Sequence, residues 1–364
     1  MKVVLDTNIF CADYRLGGGA FRVFLDALVR IGAVCCVPEV VRDEIVVTYR
    51  RRLEDVAASV RKASQSWRRL TGRSLSVAPP ETDLAGCEAE YGLFLAQLFQ
   101  NHGIVVLPYP EVSHQTLVDR ALKRRRPFSE SGSGYRDSLI WATVVALRRS
   151  AQGPVVFVSN NSKDFGTAPA LHPDLAADIE AGTTIELYNT LEQFNAARVV
   201  PHLEHLENVL RELQEDHHAK FSLGEWIDRE LKDVLNRDGD GCHFIGLEPD
   251  HGSVWVSSIK ERGRVIVDDV RLLPSGDLIV LANVDLKLEL SVSADWDDCD
   301  RYRDVREFFG GDCSGSPTAW VEEKGNVAFT LTLKRESFQV DWCDLDEIQG
   351  ICDVEINPHP RRDA

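Results

Sequence analysis

The sequence contains no long hydrophobic run, since no segment reaches the ~18 consecutive apolar residues that a membrane-spanning helix requires. Its nine cysteines are odd in number and form no C-x-x-C pair, which indicates neither a zinc ribbon nor a disulfide framework. The first residues hold one Lys and a short apolar run before Asp6, unlike a signal peptide. We therefore expect a cytoplasmic protein with reduced cysteines and no membrane partner.

The negative charge is concentrated in one half of the chain. The 364 residues carry a net charge of −17, yet residues 1–200 contain 23 Lys and Arg against 22 Asp and Glu. Residues 201–364 contain 18 basic residues against 36 acidic ones. Such an asymmetry, in a chain long enough for about two domains, predicts two units. The acidic total therefore does not exclude nucleic acid as a partner of the first half.

Residues 1–200 alternate between short apolar runs and helical patterns. The runs typical of buried strands are residues 2–5, 33–37, 103–107, 155–158 and, more weakly, 183–187. The helical patterns follow residue 19 and cover residues 38–70, 84–102, 112–125 and 135–149. Strands separated by helices indicate a parallel sheet that is covered on both faces. We therefore predict a three-layer α/β domain with a central parallel sheet over residues 1–200.

The second half has a different pattern. Residues 201–241 contain two amphipathic helices and are predicted to form a helical connector. The strand candidates beyond it are residues 253–259, 264–272, 277–282, 286–294, 320–322 and 327–334. The segments PSGD (274–277) and KGN (324–326) fit hairpin turns between them. We therefore predict an acidic, antiparallel β-rich domain of the α+β class over residues 242–364, without a motif for chemistry.

Four acidic residues interrupt the apolar pattern of the first half. Asp6 directly follows the first predicted strand, and Asp164 follows the strand at residues 155–158. Glu44 and Asp137 each lie on the apolar face of a predicted helix. A lone carboxylate in such a place is costly unless its charge is offset. Taken singly, a turn or cap explains Asp6, and an N-cap explains Asp137.

The four acids are more informative together, because the carboxyl edge of a parallel sheet is where ligands bind. Carboxylates gathered within ~4–5 Å would repel one another by several kcal/mol per pair at an effective dielectric constant near 20. A hard divalent cation removes that repulsion. Ligands that are all oxygen favour Mg²⁺ or Mn²⁺ over zinc, and the site would hold one or two ions.

The segments VVLDTNIF, VPEVVRDEI, GYRDSLIWATVVAL and VVFVSNNSKDF, in this order, resemble a PIN domain (PilT N-terminus-like) over about residues 1–198. The resemblance is greatest to a longer bacterial PIN-like family with an arginine-rich stretch before the G-x-R-D segment. It implies a Mg²⁺- or Mn²⁺-dependent nuclease, with RNA favoured over DNA and a toxin or defence effector as one role. The family's acidic set falls on Asp6, Glu44, Asp137 and the SNNSKDF segment. Many members have Asp where this chain has Asn161, so Asp164 is the acid available there.

The resemblance implies hydrolysis of phosphodiester bonds by a water that the metal ion activates. The expected catalytic residues and metal ligands are Asp6, Glu44, Asp137 and Asp164. Glu44 is either a ligand or the group that orients the attacking water. Asn8, Ser159 and Asn161 are expected to form hydrogen bonds with the metal-bound water or with the carboxylates.

Basic residues before Asp137 are expected to hold the nucleic acid through its phosphates, without reading its sequence. They are Arg120, Lys123, Arg124, Arg125, Arg126 and Arg136. A second basic set lines the long helix after Glu44, where a solvated helix face is an equally good explanation.

Two other classes of function compete with the nuclease. A catalytically idle PIN scaffold that binds RNA or a protein partner is favoured by Asn161 in place of an acid. A phosphatase-like or haloacid-dehalogenase-like hydrolase requires D-x-D, whereas this chain has Asp6-Thr7-Asn8. We also expect a homo-oligomer and an inhibitory or activating protein partner. One hypothesis is that the acidic half covers the basic groove, although a solvated acidic surface is the simpler explanation of its charge.

Overall fold

A computed structural model of the protein describes residues 1–74, 83–237, 252–294, 308–309 and 318–351. The chain divides into two compact units, Met1–Leu203 and Glu204–Ala364. The predicted boundary between residues 241 and 242 lies outside the described residues. Within the part of the chain that is described, no helix is both long enough and apolar enough to cross a membrane.

The N-terminal unit contains a five-stranded parallel sheet of order β3-β2-β1-β4-β5. Its strands are β1 (Lys2–Leu5), β2 (Val34–Pro38), β3 (Val105–Leu107), β4 (Val155–Val158) and β5 (Ile185–Tyr188). All five predicted strands are present, and every pair of neighbours is parallel. The α/β prediction for this unit is confirmed.

The two central strands, β1 and β4, carry the core of this unit. Val3 and Val4 of β1 and all four residues of β4 are fully buried. Their register, with Val3 opposite Val156, sets the two strand ends side by side. Strands that are buried on both faces have continuous apolar runs, because no side chain faces water. The residues that follow β1 and β4 therefore meet at one edge of the sheet.

Helices separate the strands, as the periodicity predicts. The longer ones are α2 (Gly19–Arg30), α3 (Glu39–Thr71), α4 (Leu84–Asn101), α5 (His114–Leu122) and α6 (Tyr135–Ser150). The short ones are α1 (Thr7–Ala12), α7 (Ser162–Phe165), α8 (Pro173–Ala176) and α9 (Leu191–Phe194). The pattern did not indicate α1, which has only six residues and depends on a cap from Asp6.

The second unit contains an antiparallel sheet of order β10-β9-β7-β6, which confirms the predicted class. Its strands are β6 (Gly252–Leu272), β7 (Leu278–Ala294), β8 (Phe308–Phe309), β9 (Thr318–Leu333) and β10 (Val340–Ile351), and β8 pairs with β9. The six predicted strands are the two halves of β6, of β7 and of β9. Bulges rather than turns interrupt β6, and β7 pairs with β9 without a break.

One of the two predicted hairpin turns is confirmed and the other is wrong. In PSGD, Gly276 adopts a φ of 94° and the Leu273 N–H donates to the Asp277 carbonyl at 2.7 Å. KGN lies within β9 instead, where Gly325 is paired with Leu286 on one side. Because both neighbouring strands pair with β9 there, its polar residues need no turn. β10 escaped prediction because acidic residues dilute its apolar pattern.

Helices of the second unit cover one face of its sheet. They are α10 (Val200–Gln214), which begins in the last residues of the N-terminal unit, α11 (Leu223–Trp226) and α12 (Lys232–Arg237). π-helical turns precede α10 and separate α11 from α12. Two side-chain amides fasten them to β6 backbone. Gln214 bonds to Val265 and Val267, and Asn236 bonds twice to Val256.

Candidate active site

Asp6 stands at the end of β1 and is the N-cap of α1. Its side chain is only 3% exposed and its backbone N–H donates to the Val158 carbonyl at 3.0 Å. Oδ1 accepts from the Thr7 N–H at 2.7 Å, so Asp6 serves as the cap that the sequence suggested. A cap exposed to water would suffice for a short helix. Burial at the centre of the sheet edge is the feature that a cap alone does not explain.

Two neutral side chains hold the second oxygen of Asp6. Oδ2 accepts from Ser159 Oγ at 2.5 Å and from Asn8 Nδ2 at 2.7 Å. Ser159 is fully buried at the end of β4, and its Oγ also accepts from the Asn161 N–H at 3.1 Å. Asn8 Oδ1 in turn accepts from the Asn160 N–H at 2.9 Å. These bonds fix the orientation of the Asp6 carboxylate between the two central strands.

The environment of Asp6 makes its ionised form costly. The pKa of Asp6 is raised to about 7, chiefly by burial and in addition by the negative charges of Asp137 and Glu44. The hydrogen bonds from Ser159 and from the Thr7 N–H act in the opposite direction. Donors therefore favour the charged form, while burial and two neighbouring carboxylates oppose it.

Asp137 lies in the first turn of α6, which begins after the N-cap Gly134. It is therefore inside the helix and is not the N-cap. Burial raises the pKa of Asp137 to about 6, and the charges of Asp164 and Glu44 contribute, whereas Arg136 lowers it. Asp137 interacts electrostatically with each of the other three acids. The structure thus brings all four predicted acids into one electrostatic cluster.

Glu44 and Asp164, the other two acids of the cluster, already have cationic partners. Glu44 forms an ion pair with Arg136 and accepts from Thr7 Oγ1 at 2.9 Å. Asp164 forms an ion pair with Arg126, with 2.7 Å between the guanidinium nitrogen and the carboxylate oxygen, and accepts a hydrogen bond from Asn161 Nδ2 at 3.0 Å. Because the side chains of both acids are only 17% exposed, these pairs are shielded from water more than surface pairs are.

The basic run before Asp137 does not form one solvent-facing surface. Arg120 is 14% exposed, pairs with Asp178 at 2.7 Å, and donates through Nε to the Arg126 carbonyl. Arg125 points towards the same Asp178 at 3.9 Å. Lys123 and Arg124 are exposed. Arg120 therefore supports the backbone that carries Arg126, and the exposed pair remains accessible to a ligand.

Two residues that the sequence analysis did not select also support the site. Thr7 joins Asp6 to Glu44 through its N–H and its hydroxyl. Asn189, directly after β5, donates to the carbonyls of Ser159 and Gly166 at 3.1 and 3.2 Å. The position after a buried strand, which identified Asp6, was also the available signal for Asn189.

Gly134 fixes the start of α6, and we expect Gly134→Ala to destabilise the protein. Its φ is 121°, and an added Cβ would lie 2.3 Å from the Pro127 carbonyl oxygen. Strain and overlap together should cost roughly 2–4 kcal/mol. In Gly153→Ala, the matched control, φ is 97° but nothing lies within 4 Å of the added atom. Urea denaturation of the full chain measures both; equal losses would show that the close contact is unimportant.

The donors of the cluster suit a hard divalent cation, because all are carboxylate, hydroxyl or amide oxygens. A cation would also relieve the repulsion that raises the pKa of Asp6 and Asp137. Among the described residues, however, no three His, Cys, Asp or Glu side chains stand where they could hold a metal ion together. Glu44 and Asp164 are each paired with an arginine, which a bound cation would have to displace.

The comparison with protein families decides the class of this unit. Residues 3–165 match the model of a family that is described as a PIN domain, and the match includes all four clustered acids. Residues 3–165 are a PIN domain. PIN domains are a family of nucleases and typically depend on a metal ion, so the chain combines a nuclease-family domain with an additional C-terminal region. The chain has no significant match among the curated proteins or among the solved structures.

Proposed function

We propose that the PIN domain hydrolyses phosphodiester bonds of nucleic acid with Mg²⁺ or Mn²⁺, and that RNA is its preferred substrate. One observation carries the proposal. Asp6 and Asp137 are shielded carboxylates whose pKa values are raised to about 7 and about 6, chiefly by burial and in addition by neighbouring carboxylates, at the edge where parallel sheets bind ligands. A structural role for either residue would not require a shielded carboxylate to stand within electrostatic reach of other carboxylates.

The residues of the acidic cluster and its neighbours would have different roles in this reaction. Asp6 and Asp137 would hold the metal ion, and Asp164 and Glu44 would complete the site as ligands or by orienting the attacking water. When bound, the ion lowers the pKa of a water and offsets charge on the phosphate. Ser159 keeps one oxygen of Asp6 in position. Arg136, whose side chain is 59% exposed, can hold a phosphate oxygen.

A second candidate is an idle PIN scaffold that binds RNA or a protein without cleaving it. Asn161 occupies a position where many family members have an acid, and its amide donates to Asp164. A donor at this position supplies less negative charge than a carboxylate. It favours the scaffold only if the four acids of the cluster fail to hold the ion.

The two candidates differ in a cleavage assay. The full chain is incubated with end-labelled single-stranded RNA and with DNA of the same sequence, in Mn²⁺, in Mg²⁺ and in EDTA. We expect metal-dependent products that carry 5′-phosphate ends, with RNA cut faster than DNA. If RNA is bound but stays intact in both metals, the scaffold is correct and the nuclease proposal is wrong. Growth arrest upon induced expression, absent for a site variant, would test the role as a toxin or defence effector.

A further inference from the structure

The outer half of helix α3, from Arg50 to Thr71, is exposed to solvent along its length. The helix has 33 residues, about 50 Å at 1.5 Å per residue, but its buried residues are Val40, Val41 and Ile45 alone. From Arg50 to Thr71, every residue is exposed or only partly covered. Burial of an apolar face is what usually stabilises a helix in a folded domain. This half therefore needs another explanation for its length.

The charge of this outer half is positive and largely unpaired. Residues 50–73 contain eight Lys and Arg against Glu54 and Asp55, and residues 56–74 contain five basic residues and no acid. Arg50 is paired with Glu54 and Glu88. The other seven basic residues form no ion pair with any residue in the described part of the chain. They are Arg51, Arg52, Arg61, Lys62, Arg68, Arg69 and Arg73.

Three of these residues continue the face of α3 that carries Glu44 into the acidic cluster. Arg51, Lys62 and Arg69 follow Glu44 by 7, 18 and 25 residues. At about 100° per residue, all four lie within about 20° of one line along the helix. At 1.5 Å per residue, the basic residues stand about 10, 27 and 38 Å from Glu44 along the axis. We call Arg51, Lys62 and Arg69 the α3 track.

We propose that the α3 track binds the phosphate backbone of the nucleic acid on which the acidic cluster acts. The inference rests on the proposed function, because it identifies where the same substrate runs beyond the reacting bond. Cations without protein partners, spaced by two to three helical turns, suit a polyanion that extends along the helix. Contacts of this kind add affinity without sequence preference and release counterions, so that binding weakens steeply as salt rises.

Nucleic acid fits this surface better than a lipid headgroup layer. A helix that lies in a membrane interface requires a broad apolar face beside its basic one. The outer half exposes Val56, Trp67 and Leu70. At about 100° per residue, these side chains lie roughly 80–140° around the helix from the line of the α3 track, so a lipid layer that received them would not lie over the track. The α3 track also lies on the same face of the helix as Glu44. Binding to a membrane does not require basic residues to align with an acidic cluster in this way.

Fluorescence anisotropy of a labelled single-stranded RNA of about 24 nucleotides, in EDTA so that no cleavage occurs, tests the track. The variant is Arg51→Gln/Lys62→Gln/Arg69→Gln in the full chain. We expect roughly 10- to 30-fold weaker binding at 0.1 M salt, and a log Kd–log salt slope that is shallower by about 2. The control Arg22→Gln/Arg264→Gln/Arg335→Gln removes the same charge from exposed positions without ion pairs and should change binding by less than about 2-fold.

Cleavage separates this inference from the proposed function. If a trinucleotide, too short to reach Lys62, is cut equally by the wild type and the track variant while the long RNA is cut more slowly, the track is supported. Equal losses in the variant and the control, no loss in the variant, or no RNA binding by the wild type would overturn it. An unchanged RNA affinity of the variant together with lost binding to anionic vesicles would also overturn it. The same holds for an unchanged RNA affinity together with an altered sedimentation coefficient of the variant. Track-dependent binding without cleavage would contradict only the proposed function.

Discussion

Asp137→Asn should abolish cleavage and, in the absence of metal, make the protein more stable at pH 8. Loss of a carboxylate that holds the ion is expected to lower the cleavage rate by at least about 10³-fold, or roughly 4 kcal/mol in the activation free energy. The same change removes a charge that burial and two neighbouring carboxylates oppose. Structural residues behave in the opposite way, because their loss lowers stability.

The sign of the stability change follows from proton linkage. The pKa of Asp137 is about 6 in the folded chain against 3.8 for an ordinary aspartate, so the folded state binds more protons between these pH values. Asp137 therefore lowers the stability of the metal-free protein as pH rises from about 4 to about 6, and the penalty is complete above pH 7. After a discount for partial exposure, Asp137→Asn should recover about 1–2 kcal/mol at pH 8.

Thermal denaturation in EDTA and in Mn²⁺ measures this prediction. Wild type should gain stability when Mn²⁺ is added, because an ion that binds only the folded state shifts the equilibrium. Asp137→Asn should have a higher melting temperature than wild type in EDTA and should gain little stability when Mn²⁺ is added. Glu130→Gln, at an exposed position in the loop before α6, is the matched control and should behave as wild type. A lower melting temperature for Asp137→Asn in EDTA would show that Asp137 has a structural role.

Ser159→Ala should shift the pH dependence of cleavage to higher pH and lower its rate by about 10- to 100-fold. The Ser159 hydroxyl donates to Asp6 and holds the pKa of that carboxyl down, against burial. Without this donor, the pKa of Asp6 rises above about 7, so the ionised form that binds a cation appears only at higher pH. The Asn161 N–H also loses its acceptor.

The rate profile from pH 6 to pH 9 measures this second prediction. In wild type the rate should rise with pH through the titration of Asp6, and in Ser159→Ala the rise should come later. Ser162→Ala is the control, since its exposed hydroxyl lies three residues further along the same segment. A uniform drop without a shift would mean that Ser159 supports the fold of the segment and does not tune Asp6.

The sequence predicted the acidic cluster because burial and charge conflict locally at each acid. Asp6 follows a fully apolar strand, and Asp137 shares a helical face with buried residues, so the periodicity was enough to mark both. The partners of the arginines could not be predicted in this way. Arg120 pairs with Asp178, which is 58 residues away, and no local pattern encodes such a contact.

The strand pattern of the second unit was informative about class but not about strand length. Alternation of buried and exposed residues on β7 predicts an antiparallel sheet with one covered face. Glycine and polar residues within β6 and β9 have the composition of turns, yet pairing continues through them with bulges in β6. Composition alone does not distinguish a bulge from a turn, because both use residues that tolerate unusual backbone.

We expect Asp6 and Asp137 to hold a divalent metal ion together. Crystals of the full chain grown with Mn²⁺, measured at a wavelength where manganese scatters anomalously, test it most directly. We predict an anomalous peak in contact with carboxylate oxygens of both residues, with Arg126 or Arg136 displaced from its acidic partner. No peak at this cluster, at Mn²⁺ concentrations that support cleavage, would contradict the account.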